Sequence, residues 1–409
     1  MKQEKKILLV ITSSYPAGHG EHFAEKELKV LSAEFQKIII FPQKTDDGRK
    51  RWIPDNARVD ESLSKIPATV SKKVFFRNIF SVAGIMITEF FRIKRKRSFL
   101  SIFRQMNARL CRAIVSADQL DKVVKEYGRE NIWCYSVWRD DGALVFSWMV
   151  KKKIIKFYDF KFHGFDLYDH IYPVGFQPFL YFTLKHVRFA CHISKAGMDH
   201  ILQQNLFPEK QKLFYRGVMP APLNPFPKND IFTVFSCSNV VPIKRVGLIM
   251  EALILVDFPV KWIHFGSGVL FDELKQKLKN LPEGKEFDLK GQAENSEILK
   301  IYETISSHLF IHLSTTEGGA PVAVQEAISF GIPVLAADAG GVREIVHDQT
   351  GILLPLDVSA RQLADVIMEF KKGRMNTPEF RESVQQYARR YFDAETNDRK
   401  FAQTISQIP

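Results

Sequence analysis

From residue 231 onward, short apolar runs alternate with segments whose apolar residues recur at helical spacing, and this alternation limits the chain to few folds. Strands are predicted at 231–236, 260–265, 286–289, 308–313, 333–336 and 351–354. Helices are predicted near 246–256, 270–279, 296–304, 321–330, 342–346 and 360–371. Leu270, Leu274 and Leu278 recur every four residues, and Leu363, Val366, Ile367 and Phe370 form a second stripe closed by Gly373. Repeated strand–helix units imply a parallel sheet covered by helices on both faces.

The first half follows the same grammar less cleanly, with strands near 6–11, 36–41, 131–136, 154–158, 188–193 and 212–215 and a long insertion over 62–124. Pro220, Pro222, Pro225 and Pro227 are too dense for an element interior and read as a linker. The C-terminal helices carry Phe380, Val384, Tyr387 and Tyr391, then Phe401 and Ile405, with no sheet of their own to cover. The expectation is an α/β chain of two Rossmann-like, doubly wound domains, 1–219 and 220–387, with residues 388–409 crossing back onto the first.

Composition narrows the class. The 409 residues are 45% hydrophobic and 25% charged, which excludes a disordered chain. Cys111, Cys134, Cys191 and Cys237 are too scattered for a disulfide framework or a zinc ribbon and suggest a reducing, cytoplasmic compartment. The apolar run at 7–11 is too short for a signal-peptide core, and the longest uncharged stretch of the basic segment, 78–88, is far below the ~20 residues a membrane span needs.

Lys and Arg exceed Asp and Glu by 12, and residues 72–112 carry much of that excess: eleven basic residues against Glu89 alone. Lys72, Lys73, Arg77, Arg92, Lys94, Arg95, Lys96, Arg97, Arg104, Arg109 and Arg112 are interleaved with seven phenylalanines. A solvated helix surface accounts poorly for the phenylalanines, and no other feature supports nucleic-acid binding. An anionic membrane surface fits best, since basic side chains beside apolar anchors suit the headgroup layer.

Residues 314–341 are the richest window for chemistry. A buried strand ends at Leu313, and a loop containing Glu317, Gly318, Gly319 and Ala320 follows. Pro321 suits the first helical turn and Gly331 closes the helix. Free amides around Gly319 and Ala320 and, past Pro321, which has no N–H, at Val322, backed by the helix dipole, suit phosphate or sugar hydroxyls. Glu326 lies among Val322, Ala323, Val324, Ala327 and Ile328. It either faces solvent, as lone glutamates mostly do, or accepts from a ribose diol.

EGGAPVAVQEAISFGIPVLAADAGGVREIV over 317–346 resembles the donor-site signature of family 4 retaining glycosyltransferases of the GT-B fold. FSCSNVVPIKRVGLIMEAL over 235–253 resembles their phosphate-binding loop and first helix, and HFGSGVLFDELKQKL over 264–278 their strand–turn–helix. HGFDLY at 163–168 and SSYPAGHGEHFAEKEL at 13–28 are similar to bacterial surface-polysaccharide members. Two departures stand out. Eight residues separate Glu317 from Glu326 where the family has seven, and Asn239 stands where many relatives carry an arginine five residues before the loop lysine.

The resemblance implies two lobes facing a central cleft and a hexosyl transfer from a UDP- or GDP-linked sugar, with no cofactor and no metal. Glu326 would bind the ribose, and Glu317 with the Gly318 and Gly319 amides would hold the sugar hydroxyls. Lys244, helped by Arg245, Ser238 and Asn239, would neutralise the diphosphate. His163 would face the reacting centre, and Gly18 and Gly20 would let their loop approach the diphosphate or acceptor. No D-x-D occurs in the chain. The implied acceptor is a lipid-linked surface glycan at the inner face of the cell membrane. The rival readings are a nucleotide-sugar epimerase and a catalytically silent partner that binds a nucleotide sugar or membrane.

Overall fold

The computed structural model of the protein describes residues 6–18, 21–45, 51–67, 72–91, 99–228, 230–317 and 319–407. These form two compact units. The first comprises residues 1–214 and 398–409, and the second residues 215–397.

The first unit is built on a seven-stranded sheet: β1 (Ile7–Thr12), β2 (Lys37–Pro42), β3 (Ala57–Val59), β4 (Ile132–Ser136), β5 (Asp159–Phe162), β6 (Phe189–His192) and β7 (Gln211–Leu213). Its order is β3-β2-β1-β4-β5-β6-β7, with every pair parallel. All six residues of β1 are buried, as a central strand covered on both faces requires. Ile7, Leu9 and Ile11 pack with Leu110, Ile114 and Leu120 of the helix Phe99–Tyr127, and Leu8 and Val10 pack with Leu28, Phe35 and Phe401 on the other face. The alternation follows from the two-residue period of a strand. Much of the 62–124 insertion is therefore a core layer of the sheet.

The second unit contains β8 (Phe232–Cys237), β9 (Val260–Phe265), β10 (Lys285–Gly291), β11 (Leu309–His312), β12 (Val334–Ala337) and β13 (Gly351–Leu354), in the parallel order β10-β9-β8-β11-β12-β13. Each lies within a residue or two of its predicted place. The helix Ala360–Lys372 opens on a capping box between Ser359 and Gln362 and buries Leu363, Ala364, Ile367 and Phe370. After the helix Val322–Ser329, Gly331 takes φ 72° and the Ile332 amide returns to the Ala327 carbonyl, a Schellman closure.

The proline-rich segment differs from its expectation as a linker. Residues 220–227 belong to the second unit, and Asn224 is buried there. Its side chain donates to the Ile305 carbonyl at 2.8 Å, accepts from the Ser307 amide at 3.0 Å, and also accepts from the buried Arg381 guanidinium. The helix Pro378–Tyr391 buries Arg381, Val384 and Ala388 in the same unit, whereas Phe401, Ala402 and Ile405 of the helix Ala394–Ser406 enter the core of the first. Among the described helices, none is long and apolar enough to cross a membrane.

Candidate functional site

In an open parallel sheet, ligands bind beyond the carboxyl ends of the strands where successive connections leave to opposite sides. Strand order places that point between β8 and β11 in the second unit and between β1 and β4 in the first.

In the second unit, β8 runs into the loop 238–241, a 3-10 turn Pro242–Lys244 and the helix Val246–Leu255. Ser267 and Val240 clasp the loop, with Val240 N donating to Ser267 O at 3.0 Å and Leu270 N to Val240 O at 3.1 Å. A Cβ on Gly266 would meet the Ser238 carbonyl oxygen at 1.9 Å, so the two loops touch only because glycine stands there. The turn expected within 264–278 thus also serves a close backbone approach. Ser238 is half-buried and Asn239 exposed. Arg245 donates to the carbonyls of Leu313 (2.8 Å) and Leu356 (2.7 Å), so it ties loops together in this structure.

Lys244 pairs with Glu317, which lies just beyond β11. His312, the last residue of β11, places Nε2 2.8 Å from the same Glu317 oxygen. Burial alone would push the Glu317 carboxyl up. Hydrogen bonding and charge from His312 and Lys244 outweigh it and hold the group at about 2. The Thr315 amide donates to the Ile243 carbonyl at 2.8 Å, joining the glutamate loop to the lysine turn. On the other side, a Cβ on Gly340 would come within 2.0 Å of the Glu317 carbonyl oxygen, and one on Gly341 within 2.6 Å of the Gly319 carbonyl carbon.

Pro321 stands just before the helix, with ψ 129°, instead of within its first turn; the helix opens at Val322. Ala320 accepts from Gln325 Nε2 at 3.0 Å, and Gly318 lies outside the described residues. Glu326 does not face bulk water: it is 9% exposed and accepts from Asn295 Nδ2 at 2.8 Å. Burial first, and the Glu326 charge second, push the Cys237 thiol at the end of β8 up to about 12. The second sheet therefore gathers two groups at its carboxyl edge, Lys244–Glu317–His312 and Glu326–Asn295. Sequence reasoning does not single out His312 or Asn295; the only hint of His312 is a polar residue interrupting the apolar run 309–313.

In the first unit a cavity of about 320 Å³ opens at the β1/β4 point, lined by Thr12, Ser13, Ser14, Lys44, Trp138, Asp140 and Asp141 among others. Glu21, also unforeseen, organises it. Its carboxylate accepts from the amides of Ser13 (2.8 Å), Ser14 (2.8 Å) and Tyr15 (2.9 Å) and from Trp138 Nε1 (2.6 Å). Gly18 takes φ 81°, a left-handed conformation that glycine enters freely, while Gly20 lies outside the described residues.

His163 is 6% exposed and does not line the cavity; its ring packs on Trp138 and Phe23 with centroids 4.3 and 4.8 Å away. Its amide donates to Asp166 at 2.6 Å, and burial pushes that carboxyl up to about 7 against the pull of Arg139. Arg109 and Arg112, counted above with the basic segment, turn inward: Arg109 pairs with Asp140 and Asp141, and Arg112 donates to the Gln43 carbonyl at 3.1 Å. Their charge serves the cavity wall. The side chain of Lys72 and all of Arg92, Lys94, Arg95, Lys96 and Arg97 lie outside the described residues.

Two parallel Rossmann-like sheets with these topologies define the GT-B fold, and solved structures share it. HepE of Anabaena in complex with UDP aligns with TM-score 0.63 at 18% identity, covering 98% of this chain and 100% of that one. The lipopolysaccharide outer core galactosyltransferase WaaB aligns with TM-score 0.68 at 15% identity over the same shares. Residues 224–391, which hold both polar groups of the second unit, match the family described as glycosyl transferases group 1. The amylovoran biosynthesis glycosyltransferase AmsK of Erwinia amylovora is 24% identical over 185 residues, 44% of this chain and 43% of that protein. One component of the phosphatidylinositol N-acetylglucosaminyltransferase of Arabidopsis thaliana is 24% identical over 222 residues, 53% of this chain and 48% of that protein. The chain thus spans about half the length of the curated relatives it matches.

Proposed function

We propose that this protein is a retaining, metal-independent glycosyltransferase that moves a hexosyl group from a nucleotide-diphosphate sugar to a surface-glycan acceptor carried on a lipid. The observation that carries the reading is the convergence of Lys244, Glu317 and His312 beside the start of the helix Val322–Ser329, at the strand-order reversal of a group 1 glycosyltransferase domain. In the reaction the bond between the anomeric carbon and the diphosphate oxygen breaks. The acceptor hydroxyl oxygen bonds to that carbon on the same face, and its proton goes to the departing phosphate. Negative charge grows on the leaving group, and a lysine held beside it stabilises the transition state more than the ground state.

Glu326, oriented by Asn295, is assigned to the ribose hydroxyls, and the Glu317 carboxylate to the sugar hydroxyls. The cavity of the first unit, with carboxylates beside the Trp138 ring, suits a polyhydroxylated acceptor. A UDP-linked donor is the first to test, because the similar HepE structures hold UDP and UDP-glucose. The assay is nucleotide release from UDP- and GDP-sugars with membrane extracts supplying acceptor, alongside thermal stabilisation by UDP and by GDP. Turnover with one donor and stabilisation by its nucleotide are the expected results. Stabilisation without turnover would establish a silent binding protein, and neither would refute the donor site. The workplace assigned to such an enzyme is the inner face of the cell membrane.

A further inference from the structure

The helix Ile79–Phe90 has one face fixed inward and the other exposed. Val82, Ile85 and Met86 enter the core of the first unit. Glu89 is 1% exposed, and its carboxylate accepts from the amides of Phe179 (3.1 Å) and Phe182 (3.2 Å) at the start of the helix Leu180–His186. A buried carboxylate satisfied at a helix start cannot turn outward without stranding those amides. Glu89 therefore sets the rotation of the helix about its own axis.

That rotation turns Phe80, Ile87 and Phe91 to the surface, at 92%, 58% and 81% exposure. Positions 80, 84, 87 and 91 form one helical stripe, and Phe76 (65% exposed) extends it onto the preceding helix Lys72–Arg77. Single exposed apolar residues are ordinary, whereas four large ones along one stripe, interrupted by Gly84, mark a surface that something covers.

The charge beside the row identifies the cover. Lys152 Nζ lies 3.4 Å from Ser81 Oγ, which brings the exposed run Lys151, Lys152 and Lys153 against this helix. Lys73 and Arg77 are exposed on the preceding helix and Arg104 on the following one. Of the acidic groups nearby, Glu89 is buried and Asp118 is paired with Arg77. A second copy seated here by a two-fold axis would oppose like charges. An anionic bilayer would not.

We propose that the Phe76–Phe80–Ile87–Phe91 row is a membrane-docking face. Its apolar side chains enter the boundary between headgroups and acyl chains, and the surrounding lysines and arginines sit among anionic headgroups. The inference does not depend on transferase activity, since a protein without turnover would dock equally well. The test is sedimentation of the full chain with phosphatidylglycerol-containing vesicles and with pure phosphatidylcholine vesicles, at low and high salt. The wild type is expected to bind the anionic vesicles at low salt and to be released by added salt. Phe80→Ser combined with Ile87→Ser is expected to lower the partition coefficient at least tenfold. Both sites are on the surface, so circular dichroism and the unfolding midpoint should match wild type. No binding of the wild type at low salt, equal binding by the double variant, or a wild-type dimer that the double variant abolishes would each overturn the proposal.

Discussion

Replacing Lys244 with alanine separates its pairing with Glu317 from the leaving-group role proposed for it. Its side chain is 20% exposed and its partner Glu317 14%, so the pair is shielded from full solvent screening. Without Lys244, Glu317 keeps the His312 contact, and its carboxyl should rise from about 2 toward its ordinary value of 4.5. Loss of a charge-assisted hydrogen bond at a half-buried site should cost about 1–3 kcal/mol of stability. On the leaving-group assignment, the same substitution should cost about 2.7–4 kcal/mol of transition-state stabilisation, a fall in turnover of roughly 10²–10³. The two effects read out separately, as the urea midpoint and as initial rates of nucleotide release at saturating donor. A lysine that merely braced Glu317 would move the midpoint and leave the rate per folded molecule intact. Rates within threefold of wild type at 25 °C would refute the leaving-group assignment.

Other consequences are as direct. The Glu317 carboxyl lies below its unfolded value, so its stabilisation is complete above about pH 4.5 and fades as pH falls toward about 2. Urea titrations of Glu317→Gln and wild type should differ by roughly 3 kcal/mol at pH 7, and the gap should narrow through that acid window. Asn295→Ala should weaken nucleoside diphosphate binding about tenfold by releasing Glu326, with inorganic pyrophosphate binding unchanged in calorimetry. Gly340→Ala introduces a methyl 2.0 Å from the Glu317 carbonyl at a backbone φ of 54°; nucleotide-induced thermal stabilisation should disappear. Glu21→Gln leaves one oxygen to serve four N–H donors, and the cavity loop should exchange its Ser13, Ser14 and Tyr15 amides with deuterium far faster.

The second half is legible because its central strands β8, β11 and β12 are largely apolar runs buried on both faces, the pattern a parallel sheet demands, while the edge strand β10 buries only Phe287. The first half hides two strands. The apolar run at 154–158 points to a strand there, but β5 lies at Asp159–Phe162. It carries Asp159 and Lys161, whose charges are matched by Arg188 and by Glu27, far along the chain. β3 is three residues at a sheet edge, none of them buried, and leaves no apolar trace. Within the site, Lys244, Glu317 and Glu326 stand in recognisable local patterns. His312, Asn295 and Glu21 act through neighbours that only the fold brings near, so no spacing announces them. Arg109 and Arg112 look like surface cations in sequence, and only their carboxylate and carbonyl partners across the first unit show them to be internal.

At Gly340 and Gly341 the turn after β12 and the Glu317 loop after β11 pass so closely that no side chain could stand between them, which couples the two segments. Anyone rebuilding this edge of the second sheet would have to move the turn after β12 and the Glu317 loop together. Either segment transplanted alone would arrive with a gap or a collision where its counterpart used to lie.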